Sequence, residues 1–258
     1  MELPSTLQLD VEGNIAILTL NREQKRNALN DELIAGLGVF FTTLSPDIKA
    51  VILAAKGDNF SSGLDLSDLS ERSTFEGVTH SMGWHRVFEM IQFAPVPVIS
   101  LLKGAVVGGG LELASSTHLR IAEDSTYYAL PEGQRGIFVG GGGSVRLPKL
   151  IGTSVMMDMM LTGRLFKADE GHDIGFSNYR VADGEGMAKA MEIAKKVAAN
   201  APMTNFAVIQ ALPRIAEANS GQAFMMESMM AAIAQGSDEA KARLQAFLDK
   251  RAKKVTEL

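Results

Sequence analysis

Residues 96–143 read VPVISLLKGAVVGGGLELASSTHLRIAEDSTYYALPEGQRGIFVGGGG, and the organisation of the whole chain is read outward from them. An apolar run (Val96, Val98, Ile99, Leu101) meets Gly104, then the triple glycine Gly108, Gly109 and Gly110, then a segment opening with Glu112 that reads as a helix. A helix N-terminus presents bare backbone N–H groups, and negative charge is stabilised there. Twenty residues beyond Glu112 stands Glu132, behind Pro131 and ahead of the glycine-rich run Gly140 to Gly143. Two carboxyls beside a glycine-lined N–H site point to acid/base chemistry on a developing oxyanion.

The composition sets the frame for this stretch. With 258 residues the chain can bury a sizeable core, as one large α/β domain or as one domain with a helical appendage. Apolar residues make up 46% and charged residues 21%, so a compact globular fold is expected rather than wholesale disorder. A formal net charge of -5 argues against a nucleic-acid binder, because no broad cationic surface is implied. The absence of cysteine excludes a disulfide framework, a thiol nucleophile and a thiolate metal site, and suits the cytoplasm. No basic segment followed by an apolar one opens the chain, and no window carries eighteen uninterrupted apolar residues, so a soluble, untargeted protein without membrane partners is expected.

Toward the N-terminus, a Glu12-Gly13-Asn14 turn precedes the β-rich run Ile15 to Leu20, an early hairpin. Asn30 or Asp31 can cap a helix whose apolar positions include Leu33, Ile34, Leu37 and Phe41. Ala50 to Ala55 reads as a fully buried strand, broken by Lys56-Gly57-Asp58 before Phe60 to Asp65. Strand and helix alternate, as in an α/β domain. From Ser67 to Phe93 a polar opening gives way to a helix with His80, Met82, Trp84, His85, Phe88 and Met90; a variable pocket can form here, and Trp84, Phe88 and Met90 read as core. His80 and His85, five apart, do not share a helical face as a metal pair would.

Toward the C-terminus, Val155, Met156, Met159 and Met160 fit one apolar helical face. Lys167 to Val181 reads as helix and turn, and helices follow over Met187–Asn200, Met203–Asn219, Gly221–Gln235 and Asp238–Lys253. The change in character near residue 195 places a boundary there. Gly108 to Gly110 does not make a dinucleotide loop, since Leu113 occupies the last glycine position of that motif, and no phosphate-loop, zinc-protease or Ser-His-Asp pattern is present.

What remains is Ser62-Gly63-Leu64-Asp65 after a strand, Val107 to Ala114, Leu130-Pro131-Glu132, and Gly140 to Gly143 before Arg146. In these features the chain resembles the enoyl-CoA hydratase/isomerase (crotonase) superfamily. The resemblance extends to Asn21-Arg22 with Arg26-Asn27-Ala28-Leu29, to Leu161-Thr162-Gly163-Arg164 and to Ala246 through Arg251. It implies an α/β fold, a spiral of repeated β-β-α units over 1–195 carrying the active site. A C-terminal helical region over 196–258 would serve oligomerisation and complete the coenzyme A and acyl pocket. It also implies a homotrimer or dimer of trimers, and an acyl-CoA thioester substrate with no metal or redox cofactor.

Residue by residue, the resemblance gives the N–H groups of Leu64 and Gly109 the oxyanion hole, Glu112 the role of activating water, and Glu132 that of protonating the α carbon. Relatives that only isomerise the double bond keep the second carboxylate and lack the first, so keeping both favours hydration. Substrate contacts would also come from Ala28, Ser62, Asp65, Leu66, Gly108, Pro131 and Gly140, the last beside the catalytic water. Lys25, Arg26, Phe247 and Lys250 would meet the adenine and phosphates of coenzyme A. The alternatives are isomerisation, thioester hydrolysis or C–C cleavage by the same enolate chemistry, or a non-catalytic coenzyme A- or RNA-binding paralogue. Three positions depart from the family pattern: His118 stands where Asp is frequent, Val139 where Pro is frequent, and Arg135 brings a charge close to Glu132 that can lower a carboxyl pKa or meet a polar acyl group.

Overall fold

The computed structural model describes residues 3–68 and 73–249. They belong to two compact units, Met1–Ala198 and Ala199–Leu258. The first unit opens with the hairpin β1 (Leu7–Glu12) and β2 (Ile15–Leu20), then α1 (Asp31–Thr42), β3 (Ala50–Ala55) and α2 (Thr74–Gln92). Next come β4 (Val98–Leu102), β5 (Ala105–Val107), α3 (Gly109–Ser115), β6 (Leu119–Glu123) and β7 (Tyr127–Ala129). It closes with α4 (Gly143–Ile151), α5 (Thr153–Thr162), β8 (Phe166–Lys167), α6 (Ala168–Asp173), β9 (Tyr179–Val181) and α7 (Gly186–Ala198).

The strands form two sheets, one in the order β1-β2-β3-β4-β6-β9 and one in the order β5-β7-β8. Apart from the β1/β2 hairpin the larger sheet is parallel. Each turn of the chain lays one strand in the larger sheet and the next in the smaller before a helix returns: β4, β5, α3, then β6, β7, α4. The preceding turn does the same with β3, the single bridge Ser61 to Val106, and α2. This is the expected spiral of β-β-α units.

β3 shows why a continuous apolar run becomes a strand here. Val51, Leu53 and Ala55 face the main core with Leu18, Phe60 and Leu102, while Ala50, Ile52 and Ala54 face a second core closed by Ala190, Ile193 and Ala194 of α7. A parallel sheet covered on both faces needs no polar alternation. Asn30 is the cap of α1, its side chain accepting the Leu33 N–H at 3.1 Å.

Four sequence expectations are corrected. α3 begins at Gly109, so Glu112 lies within its first turn rather than opening it. Met90 is exposed, on the outer side of α2, whereas Trp84 and Phe88 are buried. The segment 167–181 contains strand as well as helix: β9 pairs with β6 at the sheet edge, and its Tyr179 and Arg180 are too polar and exposed to announce a strand. The second unit holds α8 (Pro202–Phe206), a π-helical turn over Ala207–Ala211, α9 (Leu212–Glu217), α10 (Ser220–Gly236) and α11 (Asp238–Leu248). The expected helix over 203–219 is interrupted at that turn because Pro213, lacking an N–H, cannot continue the regular hydrogen-bond ladder. The first unit runs to residue 198, the end of α7, which packs on the larger sheet. Among the described residues no helix is long and apolar enough to cross a membrane.

Candidate active site

The loop after β3 is tied to the chain on both sides of Leu64: the Leu29 N–H donates to Gly63 O at 2.8 Å, and the Asp65 N–H to Leu29 O at 2.9 Å. Extended backbone alternates the direction of its peptides, so the N–H of Leu64 points away from Leu29, and it donates to no group among the described residues. The N–H of Gly109, first residue of α3, likewise has no intrahelical acceptor. Both donors lie together, since a Cβ added to Gly109 would stand 3.5 Å from the Leu64 nitrogen. Gly108 makes the corner between β5 and α3 with φ 52, spending its own N–H on Ala129 O at 2.9 Å. Two free, preorganised N–H groups converge where an oxyanion would be stabilised.

Glu112 is buried at 3% exposure. Its Oε1 accepts the N–H groups of Gly141 and Gly143, both at 2.8 Å. This explains glycine at these two positions, because a Cβ on Gly141 would meet Glu112 Oε2 at 3.1 Å and one on Gly143 would meet Glu112 Cγ at 2.8 Å. Burial pushes the pKa of Glu112 up, and the backbone N–H bonds from the glycine loop oppose that rise without cancelling it.

Glu132 is held by a tight turn in which the N–H groups of Arg135 and Ile137 both donate to its carbonyl at 3.0 Å. Its side chain lies over Gly108, where any Cβ would come within 2.5 Å of Oε1. Oε2 is fully buried with no hydrogen-bond partner among the described residues. Burial first, and then the charge of Glu112, push its pKa up to about 7; Arg135 opposes this and is outweighed. The two carboxyls are therefore treated differently by their surroundings. Glu112 has two donors that favour its ionised form, and Glu132 has an unpartnered oxygen that favours its protonated form.

Both carboxyls, Leu64 and Gly109 line one cavity of about 370 Å³. The remainder of its wall comes from α2 (Gly77, His80, Ser81, Trp84) and from the loop before α4 (Ile137 to Gly141). Most of this wall is apolar, and His80, paired with Asp31 at 2.8 Å, adds a polar side chain.

With that geometry in place, comparison with known proteins is decisive. Residues 10–257 match the model of the enoyl-CoA hydratase/isomerase family. The chain belongs to this family. It is 33% identical over 254 residues to the short-chain-enoyl-CoA hydratase of Clostridium acetobutylicum, covering 97% of each protein. A crystal structure of a candidate enoyl-CoA hydratase from Rhodopseudomonas palustris CGA009 is 58% identical, with a TM-score of 0.93 over 96% of each chain. The enoyl-CoA hydratase structure from Mycobacterium smegmatis is similar at 28% identity, with a TM-score of 0.91 over 96% of this chain and 98% of that one.

Within this enoyl-CoA hydratase/isomerase fold, the sequence-assigned residues fall into distinct groups. Glu112, Glu132, Leu64, Gly109 and Gly140 share the cavity, with Gly108 packed against Glu132 and Pro131 preceding it in the turn. Asp65 is buried and committed elsewhere: the Ser67 hydroxyl and Arg22, whose Nη2 lies 2.8 Å away, hold its carboxyl down at about 2. Ala28 is buried and its carbonyl accepts from Arg22, while Ser62 is half-buried, its N–H on Arg26 O. Lys25, Arg26 and Leu66 are exposed. Phe247 is exposed on α11 of the second unit, and Lys250 lies outside the described residues.

Sequence reasoning placed a variable pocket in Ser67 to Phe93 but read Trp84 as core and singled out neither His80 nor Ser81 for it, and it gave Ile137, Phe138 and Gly141 no individual site role; all six line the cavity. For the α2 group a signal was present. Residues 77, 80, 81 and 84 recur at helical spacing and share one face.

Proposed function

We propose that this protein is an enoyl-CoA hydratase, adding water across the α,β double bond of a 2-enoyl-CoA thioester. The N–H groups of Leu64 and Gly109 hold the thioester oxygen and take up the negative charge of the enolate, an interaction worth about 3 kcal/mol per donor. Glu112, ionised and fixed by Gly141 and Gly143, takes a proton from water as its oxygen adds to the β carbon. Glu132, whose pKa burial raises to about 7 so that a large share stays protonated near neutral pH, delivers a proton to the α carbon. The proton gained by Glu112 and the one lost by Glu132 balance, and exchange between the two carboxyls resets the pair. No metal or redox group is required. The observation that carries this reading is the presence of both carboxyls, in unlike environments, in the cavity that holds the two free N–H groups.

The exposed cations Lys25 and Arg26 are suited to the phosphates of coenzyme A, and Phe247 and Lys250 to its adenine end. Trimeric assembly through the second unit fits the apolar surface of α10, where Phe224, Met225, Met229 and Ile233 are exposed. A cytoplasmic location suits a cysteine-free chain.

The test is turnover of a panel of short, long, aromatic and polar 2-enoyl-CoA thioesters, followed by loss of conjugated absorbance with product mass measured. Hydration gives a product one water heavier. Release of free coenzyme A would instead indicate hydrolysis, and a product of unchanged mass isomerisation. Glu112→Gln and Glu132→Gln are each expected to lower kcat by at least ~10²-fold with thioester affinity largely kept. An active Glu112→Gln would overturn hydration in favour of isomerisation.

A further inference from the structure

From α2 through the glycine loop to Glu112 runs a chain of hydrogen bonds whose first members, Ser81 and His85, the chemistry above does not use. The Ser81 hydroxyl donates to Gly140 O at 2.6 Å. Its one proton being spent there, the contact of 3.3 Å between Ser81 Oγ and His85 Nε2 places the donor on His85. Gly140 C=O and Gly141 N–H belong to the same peptide unit, and that N–H donates to Glu112 Oε1 at 2.8 Å. The bonds therefore run in one direction: His85 N–H to Ser81 O–H, through the 140–141 peptide, to the Glu112 carboxylate. A carbonyl that accepts a hydrogen bond makes its own peptide N–H a stronger donor, so bonds in series reinforce one another. The next peptide is held too, as Arg146 Nη1 donates to Gly141 O at 3.1 Å while its Nε is anchored on Gln92 Oε1 at 2.7 Å.

We propose that Ser81 and His85 are positioning residues for the proposed hydration reaction, polarising and fixing the 140–141 peptide so that its N–H holds Glu112 as the ionised base. The inference rests on the hydratase reading. Neither residue has to touch the reacting atoms to act in this way. Ser81 and His85 lie one turn apart on α2, which makes α2 both a wall of the acyl cavity and a brace for the catalytic loop. The charged and titratable groups facing Glu112 are Glu132 from the turn after β7, Arg146 from α4 and His85 from α2.

The test compares Ser81→Ala, Ser81→Thr and His85→Ala with the wild type on the best enoyl-CoA substrate, reading kcat and KM across pH. Ser81→Ala is expected to lower kcat by about 10-fold with KM within about twofold, the loss of one charge-coupled hydrogen bond. The acid limb of the kcat/KM profile should move to higher pH, because a weaker Gly141 donor stabilises the Glu112 carboxylate less. Ser81→Thr, which keeps the hydroxyl, should restore both. His85→Ala, on an exposed side chain whose removal leaves the core intact, should move the acid limb the same way by less. Wild-type kcat with an unmoved acid limb in both Ser81→Ala and His85→Ala would overturn the relay, as would a rise confined to KM. A wild-type protein that hydrates no enoyl thioester would overturn the functional reading instead, so the two failures are distinguishable.

Discussion

Glu132 sits buried with one oxygen unpartnered, and its pKa is raised from 4.5 to about 7. A carboxyl whose folded pKa lies above its unfolded one holds its proton more tightly in the folded state. Its favourable contribution is full below pH 4.5 and is lost as the pH rises through about 7. Glu132→Gln removes that dependence. Chemical denaturation should find the variant more stable than the wild type at pH 8, by up to about 3 kcal/mol, with the difference shrinking toward pH 4.5. A stability difference unchanged with pH would show that the side chain is not held protonated. The same substitution is expected to abolish most turnover, so activity and stability are opposed at this residue. Glu112 and Glu132 drew notice in the sequence through the glycine-rich segments beside them, whereas Leu64 and Gly109 were named as oxyanion donors only through the resemblance to the family. The roles of Ser81 and His85 were not legible, because their partners are reached through space: 59 residues separate Ser81 from Gly140.

Among the elements, the loops around the site depend on residues that resemble nothing catalytic. Asn27 is fully buried with φ 52, a left-handed conformation that Asn tolerates better than Ala. Its side chain accepts the Arg22 N–H at 2.9 Å and donates to Lys56 O at 2.9 Å and Asn59 O at 2.7 Å, lashing the turn after β2 to the turn after β3. Asn27→Ala is expected to cost roughly 3 kcal/mol or more, read as a lower urea midpoint, since several buried groups lose partners and backbone strain is added. An unmoved midpoint would contradict this account. His118 does similar work from a position where the family frequently has Asp. Its Nδ1 accepts the Val98 N–H at 2.8 Å, and Nε2, lying 3.0 Å from Gln92 O, is left as the donor, so the start of β4 is joined to the end of α2. Burial pushes its pKa down to about 4, so it remains a neutral tie rather than a charge. Fully buried β3 and a cap at Asn30 or Asp31 were legible because local chemistry decides them, and the structure chooses Asn30. Edge strand β9 and the π-helical turn before Pro213 were not, because sheet pairing and the missing Pro N–H override the helical pattern.

For the whole molecule, the spiral and the helical C-terminal region were legible, whereas the shape of the acyl cavity was not. The cavity depends on where α2 lies against the loop before α4, and periodicity cannot supply that. In the second unit α10 carries no buried residue despite its apolar composition. A surface of that kind calls for a partner. Phe224→Glu combined with Met229→Glu is expected to reduce the mass measured by light scattering from that of an oligomer to that of the monomer, and an unchanged mass would remove α10 from the interface. The proposed oxyanion donors are the main-chain N–H groups of Leu64 and Gly109. Of the twenty residues proline alone lacks such an N–H, so an alanine scan of the entire protein would leave both donors in place and never test half of the proposed catalytic apparatus. Replacing the amide by an ester at these two positions would make that half visible.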